Sequence, residues 1–181
     1  MRVIRLVEDG AVYHVYCRGN NKMKIFHVGH DYGKYMRNLE KFKKQFMFKL
    51  YAYVLMPNHL HLLLQPKTGA DLSRIMQALN ISYSMWHNRR YECVGHVWQG
   101  RFQSKIIRAD EDFLRCMVYI EENPVKARIV IDPRVYRWSS CYKRFTGNDQ
   151  AILDMDLVYG DLGKTEKERR LAYGKLFGTG S

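Results

Sequence analysis

Two apolar runs, Leu50–Met56 and His59–Gln65, flank the two-residue break Pro57-Asn58 and constrain this chain more than any other stretch. Side chains alternate faces along a strand, so the pattern predicts two antiparallel strands joined in a hairpin. On the second strand Leu60, Leu62 and Leu64 share one face, suited to burial against helices, and His59 and His61 share the other. Ala11–Cys17, rich in Val and Tyr, reads as an earlier strand followed by the turn residues Arg18-Gly19-Asn20-Asn21. Gln103–Arg108 reads as a short fourth strand.

Between the strands the period changes. Asp31–Phe48 places Tyr32, Tyr35, Met36, Leu39, Phe42 and Phe46 at three- and four-residue spacing among lysines and arginines, an amphipathic helix opened by an acid. Asp71–Arg90 repeats the pattern with Leu72, Ile75, Met76, Leu79 and Tyr83. Asp110–Asn123 predicts a third helix, opened by three acids and stopped by Pro124. The order predicts an α+β fold: a ferredoxin-like split β-α-β antiparallel sheet with helices on one face, plus an additional C-terminal helical segment.

A length of 181 residues suits one compact domain. Charge divides it. Residues 1–148 hold 25 of the 30 basic and 12 of the 18 acidic groups, a net +13, whereas 149–181 carry −1. A polyanionic partner is therefore expected on the first part, and residues 149–181 read as a helical or loosely packed appendage ending in the frayed Gly178-Thr179-Gly180-Ser181. The longest apolar stretch, Leu50–Met56, is too short to span a membrane. Met1–Gly10 lacks the apolar core of a secretion signal, which predicts a cytoplasmic protein. Cys17, Cys93, Cys116 and Cys141 form no C-x-x-C pair and read as reduced thiols.

Two imidazoles side by side on one strand face, His59 and His61, make half of a divalent-metal site; two polar residues on a solvated face explain them too. Tyr119 and Asn123, four apart on the third helix, share a face and offer a phenol and an amide oxygen; a core aromatic and a helix-end asparagine are the plain alternatives. In His96–Arg108, Trp98, Arg101, Phe102, Lys105 and Arg108 interleave rings and cations that suit DNA, although Trp98 and Phe102 serve a core equally well. Arg18 and Asn20 are further candidates for DNA contact, or simply a satisfied turn. His14 could line the same sheet face, yet a lone strand histidine reads as structural.

Several motifs together carry a resemblance: Tyr13-His14-Val15 with Arg18-Gly19-Asn20, Met56-Pro57-Asn58-His59-Leu60-His61, Val97-Trp98-Gln99-Gly100-Arg101-Phe102, Tyr119-Ile120-Glu121-Glu122-Asn123-Pro124-Val125-Lys126-Ala127, and Trp138-Ser139-Ser140. In that order, over about Ala11–Tyr142, the chain resembles the single-tyrosine HUH transposases, in the REP-associated tyrosine transposase branch of the insertion-sequence superfamily. The resemblance makes residues 1–148 the HUH domain and leaves 149–181 outside it. It implies a divalent metal, Mg²⁺ or Mn²⁺, on His59, His61 and Asn123, with Tyr119 as the nucleophile. Asn123 stands where insertion-sequence relatives carry glutamine.

The implied reaction is cleavage and rejoining of single-stranded or hairpin DNA through a 5′-phosphotyrosine intermediate. The implied working unit is a monomer rather than a homodimer. A non-catalytic nucleic-acid-binding module of the same fold is the alternative; an RRM-like sheet would expose aromatics where the His59 strand has leucines and histidines. A small His-x-His metallohydrolase is disfavoured, since no acid in the hairpin or on the Tyr119 face completes its site.

Overall fold

The computed structural model describes residues 7–147 and 152–178. Its centre is a four-stranded antiparallel sheet of β1 (Val12–Arg18), β2 (Lys49–Met56), β3 (His59–Gln65) and β4 (Gln103–Ile107), in spatial order β2-β3-β1-β4. With β3 antiparallel to both β1 and β2 and lying between them, those two run parallel, which is the split β-α-β arrangement expected. Helix α1 (Gly29–Phe46) connects β1 to β2, and α2 (Asp71–Tyr91) connects β3 to β4.

Alternation sorts each strand between two cores. Tyr13, Val15 and Cys17 of β1 and Leu60, Leu62 and Leu64 of β3 pack against Tyr35, Leu39, Ile75 and Leu79 of α1 and α2. Asp31 ties these helices together: its Oδ2 accepts from the His27 and Val28 backbone amides and from the Tyr91 hydroxyl, capping α1 and fastening it to the end of α2.

The expectation of helices on one face holds for α1 and α2 alone. Helix α3 (Asp110–Glu121) packs Phe113, Cys116, Met117 and Ile120 on the opposite face, against Ala52, Val54 and Met56 of β2 and Leu63 of β3. The physical reason lies in β2, where a bulge between Leu50 and Ala52 and a nearly unbroken apolar run leave both faces needing cover.

Pro124 does not stop the third helix. Helix α3 ends at Glu121, and Pro124 sits in the first turn of α4 (Asn123–Lys126), a position that needs no backbone N–H. Among the described residues, α5 (Ser140–Thr146), α6 (Leu157–Gly160) and α7 (Glu166–Gly174) follow.

The C-terminal segment is helical as expected, but it is not loose. Ile152 joins the α1–α2 core, Asp154 exchanges hydrogen bonds with the Leu50 backbone, and Tyr159 and Tyr173 bury against α3. The division at 148/149 and residues 179–181 of the frayed end lie outside the described residues, as do residues 1–6 of the N-terminal reading. Among the described residues no helix is long and apolar enough to cross a membrane.

Candidate active site

The turn before β3 is pinned from two sides. Gly19 N–H donates to the Asn58 carbonyl at 2.8 Å, and Ile25 and Phe26 N–H donate to the Pro57 carbonyl at 2.7 and 3.0 Å. A Cβ at Gly19 would collide with the Met23 carbonyl oxygen, so this approach requires glycine. The pinned turn delivers His59 and His61 to the sheet face opposite the α1–α2 core, with ring centroids 5.3 Å apart. His59 Nδ1 donates to Asn58 Oδ1 at 2.7 Å, which leaves Nε2 bare.

Helix α3 crosses this face and brings the phenol to the imidazoles. The Tyr119 ring stands edge-on to both His14 and His61, with centroids 5.8 Å away in each case. It is 45% exposed, in contrast to the buried Tyr35, Tyr83 and Tyr173. One turn later, the Asn123 amide nitrogen donates to the Tyr119 and Ile120 carbonyls at 2.8 and 3.2 Å. Lys126 Nζ lies 4.9 Å from the Tyr119 ring centroid. A cavity of about 440 Å³ is lined by His14, His59, His61, Lys105, Tyr119 and Asn123. The four residues expected to carry chemistry thus meet.

Three neighbours were not legible as site residues. His14, read as structural, touches His61, its Nε2 2.8 Å from His61 Nδ1 and the ring centroids 5.0 Å apart. Tyr16 lies 4.8 Å from the His61 ring, centroid to centroid. Lys126 completes the set. The available signal was the i, i+2 pairing of His14 and Tyr16, opposite in face to Tyr13, Val15 and Cys17; Lys126 gave none.

Burial makes the imidazoles neutral. It pushes His61 down to about 2, helped by His14 and His59, and His14 down to about 4, helped by the Lys105 ammonium. His59 is lowered by burial and by Arg18. Neutral rings are the form that coordinates a cation.

The same shifts set a pH dependence of stability. Below the ordinary histidine pKa of 6.5 the unfolded chain takes up protons that the folded site refuses. Stability is therefore unaffected above pH 7 and falls as pH drops from 6.5 towards 4, by up to about 1.4 kcal/mol per unit and group. Urea unfolding at pH 7.5 and 4.5 should show this loss, and a His14→Gln, His61→Gln double variant should show a smaller one. Equal losses would place the titration elsewhere.

The residues expected to meet DNA divide by burial. Trp98 and Phe102, expected as stacking rings, are core residues: Trp98 donates Nε1–H to the Asn80 carbonyl at 3.2 Å beside Tyr35 and Tyr83, and Phe102 is buried in the same cluster. The Gly19–Trp98 bridge turns the indole inward, where α1 and α2 leave aromatic surface to cover. Arg101 and Lys105 are exposed, and Lys105 pairs across from His14 on β4. Arg108 is exposed but forks onto the Glu8 carboxylate, away from the cavity. Arg18 is half-buried opposite His59, and Asn20 gives its backbone N–H to the Val97 carbonyl.

A family model described as "Transposase IS200 like" matches residues 9–123, which spans β1 through Asn123. A solved structure of the REP-associated tyrosine transposase bound to a REP hairpin is 20% identical. That match covers 87% of this chain and 93% of that one at a TM-score of 0.69, a likeness of fold. A Deinococcus radiodurans R1 chain provisionally named a transposase is 17% identical, covering 67% of this chain and 97% of that one at a TM-score of 0.47. No curated protein matches.

Proposed function

The chain belongs to the IS200-like transposase family, enzymes of DNA transposition, and from that premise we propose that it cuts and rejoins single-stranded or hairpin DNA with Tyr119 as nucleophile. One observation carries the reading: a half-exposed phenol of α3 and three imidazoles, one from β1 and two from β3, converge on one cavity. Tyr119 Oη attacks the scissile phosphorus and forms the O–P bond as the bond to the 3′ oxygen breaks. The phenol proton passes to water, and the leaving oxygen picks one up. The products are a 5′-phosphotyrosine link and a free 3′-hydroxyl, which reverses the step on another strand without external energy. The Lys105 cation, which lines the cavity, favours a phosphate there.

Family membership implies a divalent metal ion, and the donor set suits one. Among the described residues no three His, Cys, Asp or Glu side chains gather at ligand spacing. The third donor would be the Asn123 amide oxygen, turned outward because its nitrogen is held by the Tyr119 and Ile120 carbonyls. His59 and His61 would supply the other two. When bound, Mg²⁺ or Mn²⁺ would polarise the scissile phosphate.

All of these groups come from one chain, which supports a monomer as the working unit. The resemblance of the fold to a transposase bound to a REP hairpin supports a hairpin substrate. The wide scatter of Cys17, Cys93, Cys116 and Cys141, with no C-x-x-C pair, suits the reducing cytoplasm.

The test is a hairpin with a single-stranded flank, labelled at either end in separate reactions with Mn²⁺. The 3′-end label should travel with the protein through a denaturing gel, the 5′-end label should be released, and EDTA should abolish both. Cleavage without an adduct would make water the nucleophile. Binding with neither would support the non-catalytic module.

A further inference from the structure

Given His61 as a metal ligand, we propose that His14 is its positioning residue: His14 Nε2 accepts the His61 Nδ1 proton and so keeps His61 Nε2 bare for the ion. The geometry points to this on three counts. The 2.8 Å contact joins these two nitrogens and no others, so His61 meets the protein through Nδ1 and has Nε2 left over. His59 is held in the same way, its Nδ1 on the Asn58 carboxamide, so both strand histidines turn equivalent atoms to the cavity. Finally, His14 is fixed by the sheet itself. On β1 it pairs with Leu63 on one side and Lys105 on the other, while its ring lies nearly coplanar with that of His61, at an interplanar angle of 23°, as an in-plane N–H···N bond requires.

Chemistry requires such a partner. A neutral imidazole carries one proton, and coordination through Nε2 demands that the proton sit on Nδ1. A buried Nδ1–H needs an acceptor, and histidines that bind metals regularly give this proton to one. Ordinarily it is a carboxylate or a carbonyl; here it is a second imidazole, whose own proton then resides on Nδ1. No sheet neighbour of His61 supplies an alternative: Tyr16 and Val54 flank it in register, Tyr16 meets it only through a ring tilted at 40°, and among the described residues no hydrogen bond joins the Tyr16 hydroxyl to His61.

The test compares Mn²⁺ affinity, read from free Mn²⁺ by electron paramagnetic resonance, for the wild-type chain, His14→Gln and His14→Leu. Glutamine places an amide oxygen near the position of Nε2; leucine fills similar space and accepts nothing. His14→Leu should weaken binding about 10- to 100-fold, and His14→Gln should stay within about threefold of wild type. A packing role would give the reverse order or no difference. Nitrogen-15 NMR of the Zn²⁺-loaded wild-type protein supplies a reading that needs no variant, with His61 expected to carry its proton on Nδ1 and His14 to have a bare Nε2.

Unchanged affinity in His14→Leu, or a His61 proton on Nε2, would overturn the proposal while leaving the metal site standing. A wild-type chain that binds neither Mn²⁺ nor Zn²⁺ through His61 would overturn the metal reading, and the proposal with it.

Discussion

Replacing Tyr119 with phenylalanine is expected to abolish the covalent protein–DNA adduct and to lower strand cleavage at least about a thousandfold, with hairpin affinity unchanged. The expectation rests on what the hydroxyl does and does not touch. Among the described residues no hydrogen bond engages Tyr119 Oη, and the side chain is 45% exposed, so its removal orphans no buried group. Folding stability should hold within about 0.5 kcal/mol, as for surface substitutions generally. The ring stays, and with it the edge contacts to His14 and His61 and the Lys126 ammonium above it. Loss of chemistry without loss of fold or binding then isolates the nucleophile. An adduct formed in equal yield by Tyr119→Phe would move the nucleophile elsewhere, and Tyr16, the other phenol lining the cavity, would be the next to test.

The second large effect lies two residues along the same helix and concerns the fold. Glu121→Ala is expected to destabilise the protein by about 3–5 kcal/mol, read as a lower urea midpoint. Glu121 is fully buried and accepts from Ser140 Oγ at 2.5 Å and Tyr173 Oη at 2.9 Å, with Arg144 at 3.6 Å. Arg144 in turn donates to the Tyr51 carbonyl and lies over the Tyr159 and Tyr173 rings. This network joins α3, α5, α6, α7 and β2 around one ion pair.

Alanine strands the Arg144 charge in the interior with only part of its compensation, which is why breaking the pair costs more than the pair itself contributes. A Glu121→Leu, Arg144→Met double variant, which removes both charges, should lose less than Glu121→Ala. If the double variant lost the sum of the two single effects, the ion pair would not be the cause. Because α3 also carries Tyr119, Glu121→Ala should depress adduct formation as the helix loosens, whereas Tyr119→Phe leaves the urea midpoint in place.

The contrast between Tyr119 and Tyr173 shows how far residue type alone could go. Both are tyrosines on amphipathic helices, yet one faces the imidazole cavity and the other buries on a carboxylate. The approach of Asn123 to Tyr119 was visible from their four-residue spacing, although α3 ends at Glu121 and Asn123 opens α4 rather than continuing the same helix. Glu121, between them, gave no sign of its burial. Its partners Ser140, Arg144 and Tyr173 lie on later helices whose positions no local period encodes.

Trp98 and Phe102 make the same point from the other side. Interleaved with cations they suit DNA, and only the packing of α1 and α2 decided that the rings turn inward while Arg101 and Lys105 remain outside.

By itself the sequence determined the strands, the three main helices, their split β-α-β order and the shared face of His59 and His61. Those are consequences of local period, and chain geometry enforces local period before any tertiary contact forms. Tertiary structure alone decided that α3 covers the second face of the sheet, that the C-terminal helices lock onto it, and that His14 meets His61. Each depends on which surfaces find one another across tens of residues. That choice is made by burial and by hydrogen-bond satisfaction summed over the whole molecule, and no short stretch of sequence carries it.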